Sequence, residues 1–383
     1  MRDELMRPNP LPEILLPPTT LQQIRDNFVG ELRRASGSEQ TSLGFIRNPL
    51  PRRPLAERDE TFQVMVIGGT EFEQATVYNR SFNIYTNYRV PAFRTKEDFL
   101  SFLVSPKHFG LNPDTHVLAI NFAFPLQSTM RDGRLDGVLM RGTKEHQFEG
   151  LVGQTVGGAV EQFVENTQNG RKILVTVAND TVCLILSGLN RCKREELVAG
   201  IVGTGYNIAF FENENTIVNL ESGNFDGFEQ TETGAAIDMK SENPGGQRFE
   251  KEVSGAYLYQ HFNRYMGSAA PYLSSTEELS FLASRESPDR SVEIARSFLA
   301  RSASLVACQI AGVYMFKKQP TMMFVMEGSL FWKGWWYKQM VDECLEKLDV
   351  PSNAVRFIEV KSSSIKGAAA LASGQVPANL YYD

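Results

Sequence analysis

Residues 175–188 read VTVANDTVCLILSG, an apolar β-rich run that is interrupted at Asn179-Asp180-Thr181 before a second apolar run begins. Polar residues at the end of a strand are informative because α/β proteins bind ligands beyond the carboxyl ends of their strands. The stretch therefore predicts a strand followed by a helix, with candidate site residues at the junction. Asp180 can serve there as the N-cap of a helix that begins at Thr181, as a catalytic group, or as both.

Strand-like and helix-like runs alternate on both sides of this junction. Near the N-terminus, apolar residues from Leu21 to Leu32 recur at helical spacing until Gly37, and the folded body starts near Phe62. Three strand-like runs then look like consecutive antiparallel strands, and the later order indicates a mixed sheet with helices packed on it. The predicted strands cover 62–67, 75–78, 82–86, 117–124 and 172–177, with two more near Gly200 and Ile217, and the predicted helices cover 96–104, 154–166, 249–265 and 291–313.

The composition is ordinary for a folded globular protein. Of 383 residues, 42% are hydrophobic and 22% are charged, so enough apolar surface exists to outweigh the conformational entropy of the chain. This length favours one large or two medium α/β domains. The formal net charge is -6, which argues against a general basic surface for nucleic acid.

Cysteine and histidine usage does not indicate a metal site. The four cysteines lie in unrelated segments without Cys-x-x-Cys spacing, and only four histidines are present, so we expect no zinc site and no obligatory disulfide. The N-terminus lacks a long apolar segment, and no stretch approaches the roughly 20 apolar residues that span a bilayer. These features predict a cytoplasmic protein without a membrane partner.

Four further interruptions of apolar runs are candidate sites, although each alone is more often a turn. Around Gly203 and Gly205 neither the dinucleotide spacing nor the Walker spacing is completed, so this pair does not indicate a Rossmann fold or a P-loop. Small residues there still let backbone N–H groups approach a phosphate closely. The four places are Gly68-Gly69-Thr70, Thr143-Lys144, Gly203-Thr204-Gly205 with Asn207, and Asn219-Leu220-Glu221.

Ten longer segments follow one another along the chain in a recognisable order. The most specific is ENPGGQRFEKEVSGAYL at 242–258, because its Asn-Pro-Gly-x-Gln-x-Phe-Glu-Lys core is long and unusual. The others are FQVMVIGGTEF (62–72), HVLAINFAFPLQ (116–127), GTKEHQFEGLVGQTV (142–156), VTVANDTVCLILSG (175–188), AGIVGTGYNIAFFE (199–212), VNLESGNF (218–225), RSASLVACQIAGVY (301–314), MEGSLFWKG (326–334) and SSSIKGAAAL (362–371). In sequence and in order, these segments resemble the hexokinase family along almost the whole chain from Phe62 onward.

The resemblance implies a two-lobed α/β fold that is actin-like and ribonuclease H-like. The small lobe would cover 63–179 and the large lobe 180–383, together with an N-terminal helix and connection at 1–62. The resemblance also implies ATP-dependent phosphorylation of a hexose at its 6-hydroxyl, with glucose as the expected hexose and with ATP and Mg²⁺ as cofactors. A monomer or weak homodimer is expected.

Phosphorylating a hydroxyl needs a base beside it, hydrogen bonds that hold the sugar in line, and positive charge over the moving phosphoryl group. By resemblance, Asp180 accepts the proton of the 6-hydroxyl and Lys144 stabilises charge on the phosphoryl group. Carboxylates, amides and an ammonium group suit vicinal hydroxyls. The family's sugar ligands correspond here to Thr143, Lys144, Asn179, Asp180, Asn207, Glu221 and Glu250.

The nucleotide side keeps part of the family pattern and departs from the rest. Where the family reads Asp-x-Gly-Gly-Thr-Asn-x-Arg, this chain has Val66, Glu71 and Glu73 at the polar positions. Glu73 in place of an arginine reverses a charge beside the polyphosphate, and because each close charge pair is worth about 1–4 kcal/mol, ATP affinity should fall. No residue is predicted to be a direct metal ligand. The resemblance implies nucleotide contacts at Gly68, Gly69, Thr70, Gly203, Thr204, Gly205, Gly255 and Ser364.

Other departures from the family are milder or lie near the C-terminus. Ala123 stands where the family has a serine that contacts the sugar, and Ile365 stands where it has a glycine in the nucleotide segment. Ile365 is expected to crowd the nucleotide. Gly374 and Pro377 should end the last helix early.

Three functions stay open at this point. The first is an active hexokinase, favoured because Asp180 and Lys144 are both present. The second is a sugar-binding sensor or partner scaffold of the same fold that has lost useful phosphoryl transfer. The third is an enzyme with a different phosphoryl donor, in which Glu71 and Glu73 hold additional Mg²⁺.

Overall fold

The computed structural model describes residues 11, 14–57, 59–69, 71–79, 81–105, 110–143, 145–287 and 289–374, and for residues 83–88 it describes the backbone alone. Within those ranges it is a mixed α/β protein, which confirms the fold class predicted from the alternating runs. Its α-helices are α1 (Pro18–Ser36), α2 (Lys96–Val104), α3 (Val156–Thr167), α4 (Asp180–Ser187), α5 (Glu232–Asp238), α6 (Arg248–Val253), α7 (Leu258–Met266), α8 (Thr276–Ala283), α9 (Arg290–Lys317), α10 (Ser329–Lys333), α11 (Tyr337–Lys347) and α12 (Ser363–Ser373).

The described strands form three sheets. One has five strands in the order β4-β3-β2-β5-β8, one has six in the order β1-β11-β10-β9-β12-β13, and β6 pairs with β7 alone. The strands are β1 (Ile46–Pro49), β2 (Phe62–Ile67), β3 (Glu71–Tyr78), β4 (Ser81–Arg89), β5 (Val117–Phe122), β6 (Leu126–Arg131), β7 (Arg134–Leu139), β8 (Leu174–Ala178), β9 (Leu197–Val202), β10 (Tyr206–Asn213), β11 (Thr216–Asn219), β12 (Met322–Glu327) and β13 (Val355–Ile358).

The five-stranded sheet combines two kinds of pairing. β2, β3 and β4 are consecutive antiparallel strands, as predicted, while β2, β5 and β8 run parallel. Parallel neighbours need long crossover connections, and α2 and α3 lie in the connections that lead to β5 and β8. Every residue of β2 and β5 is buried, as expected for parallel strands with both faces covered.

One face of this sheet packs on a cluster of aromatic and aliphatic side chains. The Phe93 and Phe99 rings meet edge to face with centroids 5.4 Å apart, and Phe99 meets Phe148 in the same way at 5.4 Å. Such pairs contribute about 0.5–1.5 kcal/mol each beyond the area they bury. The cluster therefore anchors the turns on either side of α2 to the sheet.

The β6–β7 hairpin was not predicted from the sequence, although its signal was present. Arg131 pairs with Arg134, which leaves Asp132-Gly133 as a two-residue turn. Both turn residues have positive φ, 51° and 78°, as a type I′ turn requires. An Asp-Gly pair between apolar residues is a standard hairpin signal, and it could have located these strands.

The chain divides into two compact units. The first unit comprises 1–45, 200–208 and 220–359, and the second comprises 46–199, 209–219 and 360–383. Residues 180–199, which the sequence analysis placed in the large lobe, lie in the second unit. The lobes predicted at 1–62, 63–179 and 180–383 stay a prediction.

One predicted helix is wrong. Residues 249–265 do not form a single helix, because α6 ends at Val253 and α7 begins at Leu258. Ser254 between them is extended, with φ -91° and ψ 159°. The Gly255 N–H donates to Gly203 O at 2.7 Å instead of to a carbonyl of the preceding helical turn. An acceptor that is distant in the sequence thus takes the N–H that a continuous helix would use.

Helix α9 forms much of the interior of the first unit. By length and composition alone it could cross a bilayer, which the sequence analysis did not recognise, but 78% of that stretch is buried inside the protein. A core helix has the same properties. A Cβ on Gly312 of α9 would lie 2.7 Å from the Phe28 ring of α1, so the glycine permits the two helices to approach closely.

Helix α12 packs on α4 through small residues in the second unit. A Cβ on Gly367 would lie 1.8 Å from Cys183 O, a backbone atom that cannot easily move. Ile365 is 1% exposed, so its side chain belongs to the core, which gives it a packing role the sequence analysis did not foresee. Gly374 ends the helix with φ 69°, as predicted, whereas Pro377 lies outside the described residues.

We predict that Gly367→Ala lowers the free energy of unfolding by about 2 kcal/mol, because a methyl group forced into a packed backbone contact is overpacked. The matched control is Gly30→Ala in α1, where a Cβ would meet nothing within 4 Å. Both substitutions raise helix propensity, so Gly30→Ala should stabilise by about 0.5–1 kcal/mol. Urea unfolding of both variants measures the difference, and equal midpoints would contradict the close contact.

Candidate functional site

The carboxyl ends of β2, β5 and β8 lie side by side in the second unit. Val66 is in register with Asn121, and Asn121 with Ala178. The residues that follow these strands therefore emerge at one edge, where α/β sheets bind ligands. The Ala123 N–H donates to Ile67 O at 3.0 Å, which ties two of these strand ends together.

Asp180 is half-buried in the first turn of α4. Its Oδ1 accepts hydrogen bonds from the Thr181 N–H at 2.7 Å and the Thr181 hydroxyl at 3.1 Å. The N-cap is Asn179 rather than Asp180, since the Asn179 side chain accepts from Thr181 N at 2.9 Å and the helix begins one residue earlier than predicted. Asn219 Nδ2 lies 3.5 Å from Asn179 Oδ1. The strand end thus places a carboxylate and two amides together.

The loop with the predicted Thr-Lys pair approaches the same unit's core. The His146 N–H donates to Thr143 O at 3.0 Å, which closes a turn in this loop. A Cβ on Gly142 would lie 2.2 Å from His146 O, so this turn requires glycine there. Thr143 is half-buried, while Lys144, for which both a catalytic and a sugar-binding role were predicted, lies outside the described residues.

The predicted nucleotide contacts Gly68-Gly69-Thr70, called the first phosphate loop from here on, follow β2 and precede β3. The Gly68 N–H donates to Glu71 O at 2.9 Å, and Gly68 and Gly69 are half-buried, while Thr70 lies outside the described residues. Glu73 is half-buried and opposite Val66, and Glu71 is exposed and opposite Arg89. The acidic substitutions therefore lie on the strand that leaves the loop.

Asn121 is a polar residue that sequence reasoning missed. It is 1% exposed, and its Oδ1 is buried without a hydrogen-bond partner within the described ranges. It lies beside Val66, where the family pattern has an aspartate. A buried amide oxygen at this strand end suits a site for a polar ligand. An amide inside the apolar run VLAINF was the available signal.

Three of the predicted sugar ligands lie together in the first unit. Glu250 Oε2 accepts from the Tyr206 N–H at 2.8 Å, and Asn207 Oδ1 accepts from the Ser222 N–H at 3.1 Å. Glu221 has φ 48° and precedes a 3-10 turn at 222–224. Asn207, Glu221 and Glu250 are all half-buried, so these side chains are partly shielded from solvent.

A buried ion pair positions the segment that carries Glu250. The Lys251 ammonium, 1% exposed, donates to the Asp238 carboxylate and, at 2.7 Å, to Asn243 O. The Gly245 N–H donates to the same carboxylate at 3.0 Å. Burial by itself raises the pKa of Asp238, but the Lys251 ammonium and the Gly245 N–H outweigh it and lower that pKa.

The predicted nucleotide contacts Gly203-Thr204-Gly205, called the second phosphate loop from here on, lie against two other glycines of the first unit. Gly255 N donates to Gly203 O at 2.7 Å, and a Cβ on Gly255 would lie 2.9 Å from the same oxygen. Gly328 has φ 115°, and a Cβ there would lie 2.2 Å from Val202 O. Thr204 is exposed at the tip of the loop, and Gly205 is half-buried. Three backbones meet without side chains, which fits a phosphate-bearing nucleotide that needs close backbone approach.

The remaining predicted nucleotide residue, Ser364, lies in the second unit. Ser364 is half-buried in the first turn of α12. Over the described ranges, no group of three or more His, Cys, Asp or Glu side chains is placed to hold a metal ion. The structure thus places Asn179, Asp180, Thr143 and the first loop in one unit, and Asn207, Glu221, Glu250 and the second loop in the other.

We predict that Lys251→Met lowers the free energy of unfolding by about 3 kcal/mol, because it leaves the buried Asp238 carboxylate without its partner. The control is Lys338→Met, which removes an exposed pair with Asp342 and should change stability by less than about 1 kcal/mol. Because the folded pKa of Asp238 is lowered, its contribution is present at neutral pH and is lost as pH falls through that value. Denaturant unfolding at pH 7 and pH 3 measures both effects, and a loss equal to the control's would contradict the assignment.

Two family models, both described as hexokinase, match this chain. One matches residues 11–189, and the other matches residues 197–270 and 266–373. Hexokinase-1 of Spinacia oleracea is 27% identical over 64% of this chain and 56% of its own length. Hexokinase-1 of Arabidopsis thaliana is 24% identical over 93% of this chain and 88% of its own length. The match to the spinach protein thus spans little more than half of that relative.

Solved structures show the same fold. The hexokinase from Schistosoma mansoni, solved with glucose, superposes with a TM-score of 0.73 at 21% identity, over 94% of this chain and 96% of that one. At this identity the likeness concerns the fold alone. It supports the predicted two-domain α/β fold of the actin-like sugar-kinase class.

Proposed function

Because this chain belongs to the hexokinase family, we propose that it phosphorylates a hexose, glucose in the first place, at the 6-hydroxyl with ATP as donor. The observation that carries the proposal is the half-buried Asp180 carboxylate, held by Thr181 beside Asn179 at a strand end. A carboxylate at this strand end is placed to contact a ligand. Among the described residues, Asp180 forms no ion pair.

In the proposed reaction the sugar 6-oxygen forms a bond to the γ-phosphorus while the bond between that phosphorus and the β,γ-bridging oxygen breaks. Asp180 receives the hydroxyl proton, and ADP leaves. ATP bound with Mg²⁺ would supply the phosphoryl group with its charge partly neutralised. The chain's own residues hold the sugar in line, since well-oriented reactants remove much of the entropic barrier.

The sugar contacts proposed for the first unit are Asn207, Glu221 and Glu250. Each is half-buried, and Asn207 and Glu250 already accept backbone N–H groups, so little side-chain entropy is lost when a sugar hydroxyl binds. The Schistosoma mansoni hexokinase, which shares the fold, was solved with glucose. Thr143, Lys144, Asn179 and Asp180 are the further sugar contacts of the proposal.

The donor side is the part in which this chain differs from its family. We propose that the Gly68-Gly69 hairpin and the Gly203-Thr204-Gly205 turn contact the phosphates of ATP, with Thr70, Gly255 and Ser364 as further contacts. The side-chain-free approach of Gly203, Gly255 and Gly328 supports nucleotide binding. Val66, Glu71 and Glu73 oppose it, because they remove one polar group and add negative charge.

A second function is favoured by that same departure. A protein with intact sugar contacts and an acidic first phosphate loop would bind hexose and transfer phosphate slowly or not at all, as a sugar sensor does. The two functions share the sugar site and differ in turnover, so one pair of measurements separates them.

We predict that Asp180→Asn reduces kcat about 10²–10⁴-fold, because it removes the general base while keeping the size of the side chain. Glucose affinity, measured by calorimetry, should change less than about threefold, since the amide still offers a hydrogen-bonding oxygen. Turnover is followed by coupling hexose 6-phosphate to a dehydrogenase.

The control is Asp132→Asn, an exposed carboxylate in the hairpin turn of the same unit. It should leave turnover unchanged. If Asp180→Asn keeps wild-type turnover, Asp180 is not the base. If the wild-type protein binds glucose but shows no turnover with ATP·Mg²⁺, the sensor function replaces the enzymatic one.

We predict that Glu73→Arg raises ATP affinity about tenfold, because it restores a positive charge beside the polyphosphate, and one such pair is worth at least about 1 kcal/mol. Glu165→Arg, an exposed charge reversal on α3, is the control for net charge. The KM for ATP and calorimetric binding of ATP·Mg²⁺ measure the effect. Equal effects of the two variants would place the hairpin away from the phosphates.

We also propose a cytoplasmic location and a monomer or weak homodimer without nucleic-acid or membrane partners. The four cysteines are free, and burial raises the pKa of Cys344 to about 11, which keeps this thiol protonated and unreactive. A net charge of -6 suits an enzyme that acts on small molecules better than a protein that binds nucleic acid. Sedimentation velocity measures the oligomeric state.

A further inference from the structure

His146 is a buried histidine whose two ring nitrogens both face backbone groups. It is 4% exposed, and its Nδ1 accepts the Phe93 N–H at 3.1 Å. Its Nε2 lies 2.9 Å from Gly69 O, an atom that can only accept. One neutral tautomer, with the proton on Nε2, satisfies both contacts. Neither the sequence analysis nor the proposed reaction uses this residue.

The two hydrogen bonds join segments that are far apart in the sequence. Gly69 belongs to the first phosphate loop, and His146 belongs to the Thr-Lys sugar loop at 142–148. The imidazole ring also packs against Phe124 of the motif segment 116–127, in the Phe-x-Phe-Pro segment at 122–125, with centroids 5.4 Å apart, and stacks on Phe148 at 5.5 Å. His146 is therefore the point at which three motif segments of the second unit meet.

The two loops differ in how firmly each is held. The sugar loop is anchored by backbone hydrogen bonds, since the Gln147 N–H donates to Phe93 O at 2.8 Å and the Glu149 N–H to Arg94 O at 2.8 Å. The phosphate hairpin has glycines at 68 and 69, which lack side chains to pack and which cost more entropy to order. The imidazole donor to Gly69 O supplies a fixed contact that the hairpin's own side chains cannot supply.

Packing alone does not explain the residue. A phenylalanine would suit the ring contacts with Phe93, Phe124 and Phe148 as well as a histidine does. Burying an imidazole instead needs a partner for each ring nitrogen, and an unsatisfied buried polar group costs about 1–3 kcal/mol. One partner, Gly69 O, belongs to the loop predicted to hold the phosphoryl donor, and the other, the Phe93 N–H, belongs to the segment whose Phe93 O accepts the Gln147 N–H of the sugar loop.

We propose that His146 is a positioning residue that couples the glycine hairpin of the first phosphate loop to the sugar loop, so that phosphoryl donor and sugar hydroxyl are held in one arrangement. The inference rests on the proposed function of this site. Its physical basis is that displacing a reacting group by about 1 Å can lower the rate about 10²-fold. His146 touches neither substrate in this role and acts through Gly69 and the sugar loop.

Three substitutions separate the two hydrogen bonds. His146→Phe keeps the ring volume and removes both bonds. His146→Gln places an amide N–H near the Nε2 position and keeps the donor to Gly69 O, whereas His146→Asn places an oxygen near the Nδ1 position and keeps the acceptor for the Phe93 N–H. We expect kcat/KM for ATP to fall at least about tenfold in His146→Phe. In His146→Gln most of that loss should be restored, whereas in His146→Asn kcat/KM should stay low. His116→Phe, at an exposed histidine, is the control.

A second readout does not need turnover. Hydrogen–deuterium exchange of peptides that span Phe93 should accelerate in His146→Phe and His146→Gln and stay slow in His146→Asn, while exchange around Gly68-Gly69 should accelerate in His146→Phe and His146→Asn and stay slow in His146→Gln. Glucose affinity should stay within about threefold in all three, because the sugar loop keeps its backbone bonds. Unfolding midpoints identify any variant that does not fold, and the Gln–Asn comparison remains when His146→Phe is lost.

The outcomes are distinguishable. If wild-type protein shows no phosphoryl transfer, the proposed function fails, and the exchange pattern with ATP·Mg²⁺ binding by calorimetry still tests the coupling. If folded His146→Phe keeps kcat/KM for ATP within twofold of wild type, or if His146→Gln is no better than His146→Asn in either readout, the positioning role is wrong and His146 is a core residue.

Discussion

The parallel pairing of β2, β5 and β8 is the constraint on which the second unit depends. In-register pairing of Val66, Asn121 and Ala178 brings three strand ends to one edge, and the glycine hairpin, the Phe-x-Phe-Pro segment and Asn179-Asp180 follow from there. Parallel strands cannot be joined by tight turns, so their connections pass over the sheet and bury both of its faces. Full burial of β2 and β5 holds the register, because a slip of one residue would turn each apolar side chain to the opposite face.

The polar residues of both units are held before any ligand arrives. Asp180, Asn207 and Glu250 each accept a backbone N–H, and Lys251, the residue after Glu250, is fixed by buried bonds to Asp238 and Asn243 O. Preorganisation of this kind is valuable in phosphoryl transfer, where catalysis consists mainly of positioning and charge stabilisation. The segments predicted to contact the donor are preorganised through their backbones. Gly203, Gly255 and Gly328 lack side chains and therefore approach one another closely.

The chain thus keeps most of the residues that the resemblance predicts for the sugar and departs at residues that it predicts for the donor. Val66 removes a carboxylate at the end of β2, and a buried asparagine stands beside it on β5 with an unpartnered oxygen in the described structure. Glu73 adds a negative charge one strand away. These changes are local, since the strands that carry them retain the register and burial of the fold. A member of the family can therefore differ at the residues predicted to contact the donor and still keep the family's fold.

Residue type and periodicity were enough to predict the mixed α/β class, the antiparallel run of β2 to β4 and the strand end at Asn179, and the resemblance of ten segments predicted the family to which the chain belongs. They were not enough for the break at Ser254, the burial of Ile365 or the contacts of His146. Each of those depends on a group distant in the sequence: Gly203 O takes the N–H that follows Ser254, Cys183 sets how closely α12 approaches, and Gly69 O meets the imidazole. Local pattern reports which conformation a segment favours on its own, whereas a hydrogen bond or a close contact between segments exists only once the folded chain has brought both partners together.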